Sequence, residues 1–269
     1  MTNKYRTLIF VAIGLAGTSA LVAFGLCGVK VSPEEPIRAV NNSRPGAPSV
    51  SIVSEASGTD HTGERGESGL PAAKKLPEKF LIDVPFTSQA PYANWDPFHE
   101  EACEEASLIM LVYFLRQQKL DQETAEREIL GLIRHEIKKY GDYEDSTAEE
   151  IVTLARDYYG LTNLKVVYDF SLQDLKAEIA KGNPVILPAA GRALDNPNFK
   201  QPGPLYHVLV LIGYDRDKLI TNDPGTRKGR HYAYPADTLY SAIHDFPGDK
   251  DRILEGRKAM IVVADGSGR

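Results

Sequence analysis

Cys103, His207 and Asp223 are residues whose types could cooperate in covalent chemistry. A thiol attacks as its thiolate, an imidazole can take its proton, and a carboxylate can fix the imidazole's tautomer. Cys103 stands in "FHEEACEEASLIMLVYFL", where an acidic turn passes into an apolar helical run. A helix N-terminus favours a thiolate, because its unpaired amides carry partial positive charge. Glu100, Glu101, Glu104 and Glu105 flank the thiol and oppose ionisation wherever their carboxylates lie close. Carboxylates also suit helix N-termini, so these four could instead serve the helix and point away.

Other roles for Cys103 compete with nucleophile. It could be a small buried hydrophobe, a metal ligand or half of a disulfide. The chain has two cysteines, and Cys27 sits in an apolar N-terminal run, so pairing them would join that run to the domain. No CxxC or HxxxH spacing occurs, so a structural zinc site does not fit, and no metal or cofactor is expected. Taken alone, His207 reads as a core histidine and Asp223 as a turn carboxylate before Pro224. The three together, in the order Cys, His, Asp, favour catalysis.

The elements around them make the juxtaposition plausible. "YHVLVLIGYDRDKLITNDPG" holds two apolar runs flanking "DRDK", the pattern of a β-hairpin. His207 opens its first strand and Asp223 closes its second, so an antiparallel pair delivers both to one sheet edge. Whether they share a face depends on the loop. Upstream, "FLIDVPFTSQAP" predicts a short strand, "PYANWDPFHEEA" a loop, and Cys103 begins a helix to about Gln118 with Leu108, Leu111, Val112 and Leu115 as its stripe. A second helix is expected over about 121–140, with Ile129, Leu132, Ile133 and Ile137 inward. A third starts at Ser146, with Ser146 and Glu149 as a capping box, and ends at Gly160. A strand in "NLKVVYDF" and a helix capped by Ser171 and Asp174 follow. "NPVILPAAG", "HVLVLIGYD", "KLITNDPG" and "AMIVVAD" read as strands. Helices first and strands afterwards predict an α+β domain from Phe80 to the end.

The N-terminal part reads differently. After a short tail (1–7), Leu8 to Val29 carries no charge and is long enough, at about 1.5 Å per residue, to cross a hydrocarbon core of roughly 30 Å. A cleaved signal peptide is the rival reading, but the apolar run continues past the small residues near Ala20. The expectation is one membrane anchor, with the domain on the extracytoplasmic side of the cell membrane. Residues 30–79, rich in Ser, Gly, Pro and charge, read as a flexible linker that includes His61. The net charge of −6 gives no footprint for nucleic acid, and no nucleotide-binding motif is present.

The chain also resembles a known family, the papain-like cysteine peptidases related to bacteriocin-processing, double-glycine leader peptidases, in their stand-alone branch. The resemblance rests on "DVPFTSQAPYANWDPFHEEACEEAS", "GNPVILPAAG" and "HVLVLIGYD…LITNDPG". It implies a papain-like fold, with a helical N-terminal half and an antiparallel sheet in the C-terminal half, and a peptide or protein substrate. It also implies Cys103 as nucleophile, His207 as general base, Asp223 as orienting acid and Gln89 as oxyanion donor. Two departures stand out: Glu-Glu follows Cys103 where many relatives have Gly-Pro, and the stretch from Gln89 to Cys103 is long. No transporter segments accompany the domain. Trp95, with Tyr92 and Phe98, either walls a substrate cleft or pins its loop to the core. His99, four positions before Cys103, is poorly placed for in-line base chemistry, His135 reads as the exposed side of its helix, and His231 and His244 sit in tail segments with no partner signal. The rivals are a transglutaminase-like acyltransferase and a degenerate domain that binds peptides or cell-wall components.

Overall fold

The computed structural model describes residues Lys75–Ala264. The apolar run Leu8–Val29, nearly all of the linker, Cys27 and His61 lie outside them. Among the described residues no helix is long and apolar enough to cross a membrane. The chain order is β1 (Lys79–Leu81), α1 (Pro97–Glu100), α2 (Cys103–Leu115), α3 (Gln122–Lys139), α4 (Ala148–Tyr159), β2 (Leu164–Tyr168) and α5 (Leu172–Ala180). Then come β3 (Val185–Ala190), β4 (Tyr206–Asp215), β5 (Lys218–Asn222), β6 (Tyr232–Pro235), α6 (Ala236–Ala242) and β7 (Ala259–Val263). The strands form one antiparallel sheet in the order β2-β7-β3-β4-β5-β6, and β1 pairs with the far end of β4. This is the α+β arrangement expected from the sequence, a mainly helical first half and a sheet in the second.

β3 is buried throughout, and β4 is buried up to Asp215. Their unbroken apolar runs mark strands covered on both faces. α2 packs against β3, β4, α3 and α4, and every residue from Cys103 to Tyr113 is buried. The expected stripe was therefore too narrow. Ile109 and Met110 are as buried as Leu108 and Leu111, because this helix is enclosed on all sides. Truncating such a residue, as in Leu108→Ala, costs about 2–5 kcal/mol.

Two other expectations shift in detail. On α3, Ile137 is 43% exposed while Glu136 is 3% exposed, the reverse of the apolar stripe read from spacing. On α4 the capping box is Thr147 with Glu150, one residue later than Ser146 with Glu149. Ser146 is held by tertiary bonds: its N–H donates to Glu104 Oε1 at 3.1 Å, and its carbonyl accepts from the Tyr206 hydroxyl at 2.7 Å. Thr147 is the next residue free to cap. β6 and α6 were not expected; "YAYP" is short, and α6 begins directly after Pro235.

The β4–β5 hairpin turns at Arg216 and Asp217, with Arg216 at φ 52°. Leu211 pairs with Thr221 and Gly213 with Ile220, so Ile212 is an extra residue in β4. This bulge sets which residues near the open end of the hairpin face each other.

Candidate active site

His207 is the second residue of β4, and Asp223 follows β5 directly. His207 Nε2 lies 2.8 Å from Asp223 Oδ1, with both side chains buried. That contact leaves Nδ1 as the ring nitrogen not committed to the carboxylate. Phe199 meets the imidazole edge to face, with centroids 5.2 Å apart. Gly225 lies against the ring, where an added Cβ would come within 2.9 Å of His207 Cε1. No side chain other than hydrogen fits there. Asp223 is saturated with donors. Besides His207 it accepts from the Gly225 N–H at 2.9 Å, from Asn196 Nδ2 at 3.1 Å and from the Tyr234 hydroxyl. Asn196 also donates to the Tyr234 oxygen at 2.7 Å. Burial alone would raise the Asp223 carboxyl, but the His207 charge and these hydrogen bonds outweigh it and hold it below its ordinary range.

Cys103 is the first residue of α2, and Ala102 at the cap position supplies no side-chain hydrogen bond. α2 is tied to β4 beside His207, since Ser107 Oγ donates to the Val208 carbonyl at 3.1 Å. The thiol is 6% exposed and sits 2.9 Å from Glu104 Oε2. Neither of the two glutamates that follow it turns outward. Glu104 and Glu105 are 4% and 1% exposed. Burial, then the charge and hydrogen bond of Glu104, push the thiol well above its ordinary value, against a helping hydrogen bond from the Val208 N–H. This is the opposite of the lowered thiol expected from a helix N-terminus alone. Burial likewise raises Glu104 to about 8. Beneath it, Glu105 and Glu136 form a buried carboxyl pair, both raised mainly by burial, Glu136 to about 7. α3 turns Glu136 inward onto Glu105 and Ile137 outward.

Gln89 is buried and lies with Cys103 on one cavity wall. Its Nε2 donates to the His99 carbonyl at 2.9 Å and the Glu100 carbonyl at 3.0 Å. Both amide hydrogens are thus spent on the loop before the thiol, and exchanging its O and N would set oxygen against oxygen. His99, 1% exposed, contacts Asp96 Oδ1 at 2.8 Å through Nδ1 and Glu126 Oε2 at 3.1 Å through Nε2. It is this histidine that pins the loop to α3. Tyr92, Trp95 and Phe98 are 52%, 43% and 41% exposed, so they do not anchor the loop in the core, and Trp95 faces the cavity. His135 is not on the exposed side of its helix but half-buried, edge-on to Tyr158.

A cavity of about 1070 Å³ brings together Gln89, Trp95, Cys103, Glu104 and His207, while Asp223 lies outside its lining. A family model described as the Peptidase_C39 like family matches residues 81–245, more than half of the chain. The chain belongs to the Peptidase_C39 like family. The matched span contains Gln89, Cys103, His207 and Asp223. Among solved structures, this Peptidase_C39 like chain is similar to a C39-like protein from Bacillus anthracis, at 18% identity over 71% of this chain and 100% of that one, with a TM-score of 0.47. It is also similar to a fragment of prointerpain A from Prevotella intermedia, at 12% identity over 73% of this chain and 76% of that one, with a TM-score of 0.45. No curated protein sequence matches it.

Asn196, Phe199, Gly225 and Tyr234 escape a sequence reading of this Peptidase_C39 like domain. Only Gly225 left a trace, as the glycine of the "DPG" turn. Asn196 and Tyr234 reach Asp223 from segments 27 and 11 residues away, and nothing in their local sequence marks them.

Proposed function

We propose that the chain is a cysteine peptidase that hydrolyses peptide bonds by acyl transfer through Cys103. The observation that carries this is His207, held by buried Asp223 at 2.8 Å and lining the same cavity as the thiol. His207 Nδ1 takes the Cys103 proton, and the thiolate sulfur bonds to the substrate carbonyl carbon. The carbonyl electron pair moves to oxygen. As the tetrahedral adduct collapses, the C–N bond breaks, and the imidazolium gives its proton to the departing amine. A thioester remains. Water then attacks it with His207 as base, releasing the acid and restoring the thiol. Asp223 holds the ring and stabilises its charged form.

The oxyanion has two candidate donors. The Cys103 backbone N–H is one of the orphan amides of α2, left without a side-chain cap. Gln89 is the other, and it serves if substrate releases one of its two bonds to the loop carbonyls. Trp95 forms part of the substrate-binding wall. The apolar Leu8–Val29 run tethers the domain to the cell membrane, with the linker and the domain on the extracytoplasmic side. Protease added to intact cells should then release a soluble domain fragment, whereas release only from broken cells would place the domain inside.

A second reading is favoured by one observation, the neutral thiol hydrogen-bonded to Glu104. On that reading the domain binds peptides and does not cleave them. Peptide hydrolysis and iodoacetamide labelling of Cys103, followed by mass spectrometry, separate the two. A peptidase hydrolyses casein-derived peptides and is labelled in the folded state, and both are lost in Cys103→Ala. A binding domain shows no hydrolysis and is labelled only on unfolding.

A further inference from the structure

The two walls of the cavity differ in charge, although the chain as a whole is acidic. On the helix wall the carboxylates are partly answered: Glu100 is exposed there without a cation partner among the described residues, while Asp145 and Glu101 share one lysine. Lys250 Nζ lies 2.8 Å from Asp145 and 3.8 Å from Glu101, and Glu104 is buried against the thiol and the Ser146 amide. On the sheet wall stand Arg192, Lys200, Arg227 and Lys228, all exposed and all facing the cavity. Arg192 gives its Nε to the Gly203 carbonyl at 3.3 Å, a neutral partner. Among the described residues none of these four cations has a carboxylate partner. Arg227 and Lys228 follow Gly225, which packs against His207, so their charge lies beside the base. A concave wall of one sign concentrates ligands of the opposite sign, with an effect that salt screens over about 10 Å at 0.1 M.

We infer that the cleft selects acidic peptides, whose Asp or Glu side chains beside the scissile bond lie along the Arg192, Lys200, Arg227 and Lys228 wall. This deepens the peptidase reading by naming its substrate class, and it rests on that reading for cleavage but not for binding. The net charge of −6 would otherwise repel such peptides, so their preference has to come from this wall.

The test uses the full chain and two fluorescein-labelled decapeptide pools that differ only in carrying Asp and Glu, or Lys and Arg, around a fixed central pair. Fluorescence anisotropy with Cys103→Ala reads binding, and the unaltered chain reads cleavage. The acidic pool should bind about 10-fold tighter in about 50 mM salt, and the difference should shrink in about 500 mM salt. Arg227→Glu with Lys228→Glu should reverse it. Arg227→Gln with Lys228→Gln, checked for an unchanged unfolding temperature, should erase it. Equal binding of the pools, or tighter binding of the basic pool, overturns the inference. Cleavage of both pools at equal rates also overturns it while leaving the peptidase standing. Selective binding of acidic peptides that stay intact would uphold the surface and sink the peptidase.

Discussion

The two halves of the site are built in opposite ways. On the sheet side, Asp223 has four donors on its two oxygens, and its carboxyl is held below the ordinary range. On the helix side, the thiol is pushed up, and Glu105 Oε2, Glu136 Oε2 and Gln89 Oε1 are buried without a hydrogen-bond partner. Fully satisfied polar networks rigidify a site, whereas unpaired polar groups in a low dielectric are costly. The comparison teaches that the His207–Asp223 pair is held by a complete set of hydrogen bonds, whereas the surroundings of Cys103 are not. On the proposed peptidase reading, activation of Cys103 depends on the protonation of Glu104 beside it.

The largest expected effect breaks the sheet side. His207→Ala should lower kcat/KM for peptide hydrolysis by about 10⁴-fold, because the proton acceptor is gone. Asp223→Asn should come close to it, at about 10³–10⁴-fold, by favouring the wrong tautomer, yet it should leave much of the iodoacetamide labelling of Cys103. A drop of only a few-fold in either variant would detach this pair from catalysis.

Gln89→Ala tests whether the helix side lends a second oxyanion donor. Turnover should fall about 10²-fold with little change in KM. Activity within a few-fold of the parent would leave Gln89 as a brace for the loop carrying His99 and Glu100.

Glu104→Gln sharpens the contrast through pH. With Glu104 at about 8, kcat/KM should decline as pH rises through that value, since the charged carboxylate opposes the thiolate. The amide cannot ionise, so the alkaline decline should move upward by about one unit or more. An unmoved profile would assign that limb to a group other than Glu104.

The smallest effect is on stability. Glu105 and Glu136 are raised above the ordinary carboxyl value, so the folded state holds their protons to higher pH than the unfolded chain does. The Glu136 contribution is complete below about pH 4 and is lost as pH rises through about 7, its folded value. Glu136→Gln should therefore raise the unfolding temperature by a few degrees at pH 8 and leave it nearly unchanged at pH 5. Calorimetry at the two pH values reads this directly.

The difference between the two halves also separates what local sequence could reveal from what it could not. The helix starting at Cys103, the Ser171–Asp174 cap and the hairpin bearing His207 and Asp223 follow from period, capping chemistry and turn residues, which act over a few positions. The family resemblance added Gln89. Glu104 could be seen as a neighbour of Cys103, but whether its carboxyl pointed away or inward was decided by the enclosure of α2 on all sides. Glu136 falls on the helical face of Ile129, Leu132 and Ile133, and the packing of α3 on α2 placed it against Glu105. Asn196 and Tyr234 meet at Asp223 because β6 closes the sheet beside β5, and His99 lies between Asp96 and Glu126 because α1 rests on α3. Local composition determined which groups exist and which elements carry them. Their ionisation, partners and charge balance depend on desolvation and on contacts between distant segments, and only the packed tertiary structure decided those.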